Sequence, residues 1–204
     1  MPRRIIIVVL AAGAAGLGAI AISQAASTRS VRSVYHARHA TRGAALLDRR
    51  FSILNSAFVS AASPLPAATA EHMTEPGALV SGYGLEPAQT RSLDVNGTHA
   101  WVIPGSNGIC LAIPAVDGSS IAVGCGSLAV ATTGILQVQR PSTGPVVYGL
   151  VPNDDTVAVT GQDGTTSGLP VASNFFKYSG ASVQSISIRD AAGSAVQTVV
   201  VAKP

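Results

Sequence analysis

Between Ile5 and Ala26 the chain carries no charged residue, an apolar run of 22 positions that opens directly behind Arg3 and Arg4. A helix of about 20 apolar residues crosses the hydrocarbon core of a bilayer, so the pattern predicts a membrane helix over 1–26. Two roles are open to it. It is an uncleaved anchor, or it is a signal peptide in which Ser23-Gln24-Ala25 supplies the small residues before a cut after Ala25. The next segment, 27–60, holds no proline and one glycine, with Arg38 and Arg42 at i,i+4 spacing. It reads as a basic helical arm. Such an arm either contacts anionic headgroups or an anionic wall polymer, or stands as a solvated spacer beside the membrane. Pro64, Pro66 and Pro76 then mark 61–78 as irregular, within a Pro/Ala-rich linker over 61–91. Glu86 and Pro87 predict a short helical turn in 84–93, because proline suits a first helical turn.

From about residue 92 the periodicity shortens. Nine β-rich runs follow: 99–104, 108–113, 119–124, 135–140, 145–151, 156–160, 168–173, 183–189 and 195–201. Asn96-Gly97, Asn107-Gly108, Asp117-Gly118 and Asp163-Gly164 punctuate them. These dipeptides suit type I′ hairpin turns, whose two central residues need positive φ. No helical stretch separates the runs, so parallel crossovers are not expected. The fold predicted for 92–204 is mainly β, an antiparallel β-sandwich or small barrel.

Cys110 and Cys125 flank the third of those turns. With Asp117-Gly118 at the turn centre, Ile113 faces Ala122 and Cys110 faces Cys125, which brings the two thiols within bonding range. A two-residue turn would also place this pair in a hydrogen-bonded position and leave Pro114 where a ladder N–H belongs. A bulge or longer loop over 114–120 is therefore expected. A disulfide here would contribute about 3 kcal/mol by shortening the unfolded chain's freedom. The rival readings are a pair of reduced, buried small hydrophobes, or a metal site. The spacing lacks the close pairs of metal knuckles.

Charge sharpens the division of the chain. Residues 1–50 hold eight arginines and one acid, whereas 51–204 hold five bases and nine acids. The net charge of +3 thus belongs to the N-terminal part, and the mildly acidic body argues against a nucleic-acid partner. Arg29, Arg32, Arg38 and Arg42 oppose export by the positive-inside rule, while Arg3, Arg4 and the amino terminus favour it. A disulfide would support export, since such bonds persist in oxidising compartments. Only 11% of residues are charged and 4% aromatic, so the core must be built from small and β-branched side chains.

Catalytic signatures are sparse. No phosphate-binding P-loop, G-x-S-x-G elbow, H-E-x-x-H or EF-hand loop occurs. His36 and His39 could share a helix face, but two ligands without a carboxylate make a poor metal site. Asp154-Asp155 after Pro152-Asn153 reads as a turn. Asn96-Gly97-Thr98 matches a glycosylation sequon, which the hairpin turn explains equally. Trp101 reads as a core anchor or a binding platform, and His99 as a strand histidine. The turn aspartates Asp117, Asp154, Asp155, Asp163 and Asp190 should be solvated and titrate normally.

Several short motifs together carry a resemblance: W-V-I-P-G at 101–105, G-I-C-L at 108–111, V-Y-G-L-V-P-N-D at 147–154, V-x-x-N-F-F at 171–176 and R-R-F-S-I-L at 49–54. In this combination the chain resembles uncharacterised exported β-domain proteins of high-GC Gram-positive bacteria. Where those proteins read P-D-G-V, this chain has Pro152-Asn153-Asp154-Asp155. The resemblance implies an exported, disulfide-bonded β-domain and brings no catalytic residues with it. The expected protein is a membrane-anchored or secreted extracytoplasmic domain, single-pass with its C-terminal part outside. It would bind an envelope component or protein without catalysis and without a cofactor. The alternatives are an envelope hydrolase and an inert spacer.

Overall fold

A computed structural model describes residues 4–8, 19–23, 42–55, 64–75, 77–78, 80–95, 97–180 and 182–201. The fold is mainly β, with three antiparallel sheets and a few short helices. The first sheet is a meander of β3 (Arg91–Val95), β4 (Thr98–Pro104), β5 (Gly108–Pro114) and β6 (Ile121–Ser127). The second holds β7 (Ile135–Gln139), β8 (Val146–Leu150) and β11 (Phe175–Ser179) in the order β11-β8-β7. The third runs β10 (Thr166–Leu169), β9 (Thr156–Gly161), β12 (Val183–Arg189), β13 (Ala195–Val200).

Alternation along the strands explains how these sheets stack. Ile109, Leu111 and Ile113 of β5 point to one side, where they meet Ile135, Tyr148, Leu150 and Phe175 of the second sheet. Cys110 and Ala112 point to the other. The second sheet has its own opposite face, and Leu136, Val147 and Phe176 there pack against Val157, Ile186 and Ile188 of the third. The middle sheet is thus buried on both sides. Phe176 lies across Gly149, its cross-strand partner, and a side chain at 149 would collide with the ring.

Two segments predicted to stand off the body are built into it. Helix α1 (Arg42–Arg50) opens the described part of the basic arm, and its Leu47, with Phe51 just beyond its end, is buried in the core between the first two sheets. A 3-10 turn, Ser52–Asn55, adds Ile53 and Leu54. The Pro/Ala linker carries helix α2 (Ala67–Thr74), which begins just after Pro66. Its Thr69 and Met73, at i,i+4, are buried, and Met73 joins Leu65, Val80 and Tyr83 in covering the outer face of the first sheet. A helix that docks by one residue per turn leaves no apolar stripe to detect.

Hairpin geometry bears out the register predicted for the cysteines. Ile113 pairs with Ala122 and Cys110 with Cys125. The loop is the longer one expected: Ala115 N donates to Ser120 O at 2.8 Å and Gly118 N to Ala115 O at 2.7 Å, with Gly118 at φ 67°. Counting from the bonded pair Ala115–Ser120, alternation puts Cys110–Cys125 in a non-hydrogen-bonded pair, where Cα atoms approach most closely. Pro114 falls opposite Ile121 in another such pair, so the β5–β6 ladder loses no bond to it. Asn96-Gly97 also holds as a two-residue loop, with Val95 opposite Thr98 and Gly97 at φ 70°; Asn96 itself lies outside the described residues.

Other turns depart from prediction. Gly108 opens β5 instead of closing a turn, since Gly105 N bonds Gly108 O at 2.8 Å around Ser106-Asn107. The backbone of Tyr83 and Gly84 holds that turn, accepting from Asn107 N and Ser106 N at 3.0 Å each. Asp163-Gly164 closes a three-residue loop, with Gly161 N donating to Thr165 O at 2.8 Å and Gly164 at φ 80°. The run expected at 168–173 is displaced to β10, because Pro170 cannot extend the ladder. Of the helical turn expected over 84–93, only Pro87–Gln89 is helical, and β3 takes Arg91–Leu93.

In the N-terminal part, Arg4–Val8 (β1) and Ala19–Ser23 (β2) pair antiparallel, and β1 runs parallel along β6 through Ile6–Ala122 and Ile7–Val123. Two strands therefore stand in the run predicted to be one apolar helix. Ile5, Ile6, Ile7 and Val8 are β-branched, and the edge of β6 offers ladder partners. The rest of that run, and 27–41 and 56–60 of the arm, lie outside the described residues. No described helix is long and apolar enough to cross a membrane.

Candidate functional site

Cys110 and Cys125 form a disulfide, with Cα atoms 4.1 Å apart. It lies buried beneath α2 among Trp101, Ile103, Met73 and Val80. Neither sulfur is available as a nucleophile or ligand. Trp101 is the core anchor here, only 6% exposed.

A second focus is polar. Three motifs far apart in the chain, 49–54, 151–155 and 171–176, meet where α1 docks on the β-body. Arg50 Nη2 donates to Thr132 O at 2.8 Å and approaches the Asp155 carboxylate at 3.3 Å. Asn153 N donates to Arg50 O at 2.6 Å, and Asn153 Nδ2 to Arg49 O at 2.9 Å. Asn174, in left-handed conformation at φ 64°, accepts on Oδ1 from Ser52 Oγ at 2.8 Å and Ile53 N at 2.9 Å. Its Nδ2 donates to Val151 O and Asn153 Oδ1, each at 2.9 Å. The turn reading of "PNDD" is correct, since Asp154 sits at φ 67°. The solvated reading of Asp155 is not. Its side chain is 3% exposed, and burial pushes its carboxyl above the usual range while the Arg50 guanidinium pulls it back. Arg50 Nε is buried without a hydrogen-bond partner among the described residues, and the bonds made by Asn153, Asn174 and Arg50 Nη2 hold α1 on the β-body.

Two exposed turn aspartates, Asp117 and Asp163, also depart from ordinary titration. Ser119 donates to Asp117 Oδ1 from Oγ at 2.7 Å and from N at 2.9 Å, and these bonds hold the Asp117 carboxyl below its usual range. Thr165 does the same for Asp163. Asp190 accepts from Ala192 N at 3.0 Å and Ser194 N at 2.9 Å. Their carboxylates serve local backbone, as the turn reading requires.

Two open concavities lie among the described residues. One, of about 460 Å³, lies by the β9–β10 turn and includes Asp163, Ser167 and Tyr178. The other, of about 360 Å³, opens between the first two sheets. Tyr148 and Lys177 are cross-strand partners on its floor, and Ser179 and His99 stand at its side. Pro114 and Val116 form an apolar wall, with Val116 51% exposed. Gln139 fixes that wall, accepting from Val116 N at 3.1 Å and donating to Pro114 O at 3.3 Å. Burial raises the Tyr148 phenol above its usual range. His99 meets Trp101 edge-on with ring centroids 4.7 Å apart and pairs across strands with Asp94. No serine hydroxyl bonds it among the described residues.

His36 and His39 lie outside the described residues. His72, on α2, contacts Glu75 at 3.1 Å. Among the described residues no group of three or more His, Cys, Asp or Glu could hold a metal. Lys177, Tyr148 and the 114–116 wall were not singled out by sequence, because no local spacing joins them. No family model, curated protein or solved structure matches this chain.

Proposed function

We propose that this chain is an exported, non-enzymatic binding domain of a bacterial cell envelope, and that the Tyr148–Lys177 concavity is its contact site. Its three stacked sheets would form a sandwich extended by a third layer. The observation that carries the reading is the pairing of a neutral phenol and an ammonium across two strands beside an exposed apolar wall. Lys177 supplies charge, Tyr148 and Ser179 supply donors, and Val116 supplies apolar contact. That set fits a carboxylate or phosphate carried on a partly apolar envelope component. The buried disulfide supports an oxidising location outside the cytoplasm. The run after Arg3-Arg4 would serve export, either as a signal peptide or as an anchor whose body lies outside. In a bilayer its residues would leave the edge of β6.

Calorimetric titration of the protein with soluble envelope fragments tests the site. Binding that weakens about tenfold in Lys177→Gln supports it, since a charge-assisted hydrogen bond is lost. Equal binding by wild type and variant places the contact elsewhere. Turnover of the fragments would instead favour the hydrolase reading, and no binding at all the spacer.

A further inference from the structure

Both concavities border one strand. β11 ends the middle sheet on one side, with β8 as its neighbour there. Alone among the described strands it lends residues to each concavity. Lys177 and Ser179 stand in the one that opens toward the first sheet, and Tyr178 in the one by the β9–β10 turn. Alternation explains the split. Lys177 shares a face with Tyr148, which packs toward the first sheet, whereas Tyr178 packs toward the third. The register of Phe175–Ser179 against β8 runs without a shift.

Two bonds set the hydrogen-bond phase of this edge. Val151 N donates to Asn174 O at 2.7 Å, so position 174 bonds toward β8. Phe175 bonds the other way, its N–H and C=O each paired with Ala172 at 2.9 Å. By alternation Phe176 and Tyr178 bond β8, and the N–H and C=O groups of Lys177 and Ser179 point out from the sheet. No backbone group among the described residues bonds them there. Charge is divided between the two concavities. Lys177 is the one lysine or arginine lining the first, and Asp163 is the one charged residue lining the other. A lysine on an edge discourages pairing with an apolar strand, and a carboxylate opposite it removes that bar.

We infer that the β11 edge takes an extended peptide of a partner protein as an added antiparallel strand, reading apolar–basic–acidic with the acid against Lys177. The inference rests on the Tyr148–Lys177 concavity being the contact site, and it names the partner of that site. The peptide residue opposite Lys177 exchanges two backbone bonds and sends its side chain to the same face, beside the ammonium. The residue opposite Ser179 does likewise and meets the apolar wall. Ser179 lies in one cross-strand row with Val146 and Gln139, and Gln139 holds Pro114 and Val116 in place. The residue between them points to the other face, toward the concavity of Asp163. The Phe175–Ala172 pair closes the edge beyond Lys177, so pairing covers the three positions opposite 177–179. An antiparallel strand meets Ser179 first, which sets the order of the three residues. Outward N–H and C=O groups repeated two residues apart match a peptide backbone and not a sugar or a lipid tail.

Fluorescence polarisation of a labelled, end-blocked peptide, Ser-Thr-Val-Lys-Glu-Thr, against the full chain in non-ionic detergent tests the added strand. Two methylated forms separate backbone pairing from charge. N-methylation of the glutamate amide removes its bond to Lys177 O, and N-methylation of the lysine amide falls on a group that faces solvent. The peptide should bind with a dissociation constant below about 1 mM, and the first methylation should weaken it about tenfold or more, the second less than about twofold. Exchanging lysine and glutamate in the peptide, or Lys177→Gln in the protein, should each cost about fivefold or more. No binding up to about 1 mM overturns the inference, and so do two methylated forms that bind as tightly as the parent. Either result leaves the contact site intact if envelope fragments still bind in a Lys177-dependent manner. Peptide binding unchanged in Lys177→Gln overturns the inference, and fragment binding equally unchanged overturns the contact site with it.

Discussion

Asn174 Nδ2 donates to Asn153 Oδ1 at 2.9 Å, tying the turn before β11 to the turn before β9. The same Asn153 oxygen accepts from Ser52 N at 3.1 Å, which brings the chain just after α1 to the same point. One amide oxygen thus joins segments that lie about a hundred residues apart in the chain. The helix that the charge pattern presents as a basic arm is held in the core by this junction.

Asn174→Ala should therefore destabilise the protein by about 2–3 kcal/mol. It orphans buried backbone groups at Ile53 and Val151 and forces a Cβ-bearing residue without local bonding into the left-handed region. Urea unfolding measures the loss. A change under about 0.5 kcal/mol, the level of a neutral surface substitution, would show that the junction does not hold α1.

Stability should respond to pH with opposite signs at Asp155 and Asp163. The folded-state pKa of Asp155 is raised, so its contribution is complete below the ordinary carboxylate range and fades as pH rises through its raised value. That of Asp163 is lowered, so its contribution is complete above the ordinary range and is lost as pH falls through its lowered value. Thermal unfolding between about pH 3 and pH 7 separates them. Relative to wild type, Asp155→Asn should gain stability as pH rises, and Asp163→Asn should lose it. Parallel curves for the two variants would contradict both assignments.

Replacing both cysteines by alanine should cost about 3 kcal/mol, the loop-closure entropy of the unfolded chain. The measurement is urea unfolding under oxidising conditions. Adding reductant should bring wild type down to the variant's midpoint and leave the variant unmoved. A variant as stable as oxidised wild type would remove the disulfide from the account of stability.

The β5–β6 hairpin was legible because a local signal, Asp117-Gly118, set the register of two alternating strands. The loop length was legible through Pro114, whose missing N–H forbids a two-residue turn. β11 was not, since Phe175 and Phe176 are buried on opposite faces of the middle sheet and so show no alternation. α2 was hidden by the prolines around it and by a contact face of only Thr69 and Met73. The Tyr148–Lys177 concavity draws on β4, the 114–116 loop, β8 and β11, and no spacing in the chain connects these. Asp155 was placed in solvent because its turn is visible in sequence while the arginine that covers it lies 105 residues away.

The proposed export requires that Cys110 and Cys125 be bridged in the cell. Native cells quenched in denaturant with a thiol-alkylating reagent, followed by mass spectrometry of the peptide spanning Cys110 and Cys125, test it directly. Export predicts no alkylation before reduction and a peptide about 2 Da lighter than its reduced form, the two hydrogens lost on forming the S–S bond. Alkylation of both Cys110 and Cys125 without prior reduction would contradict it.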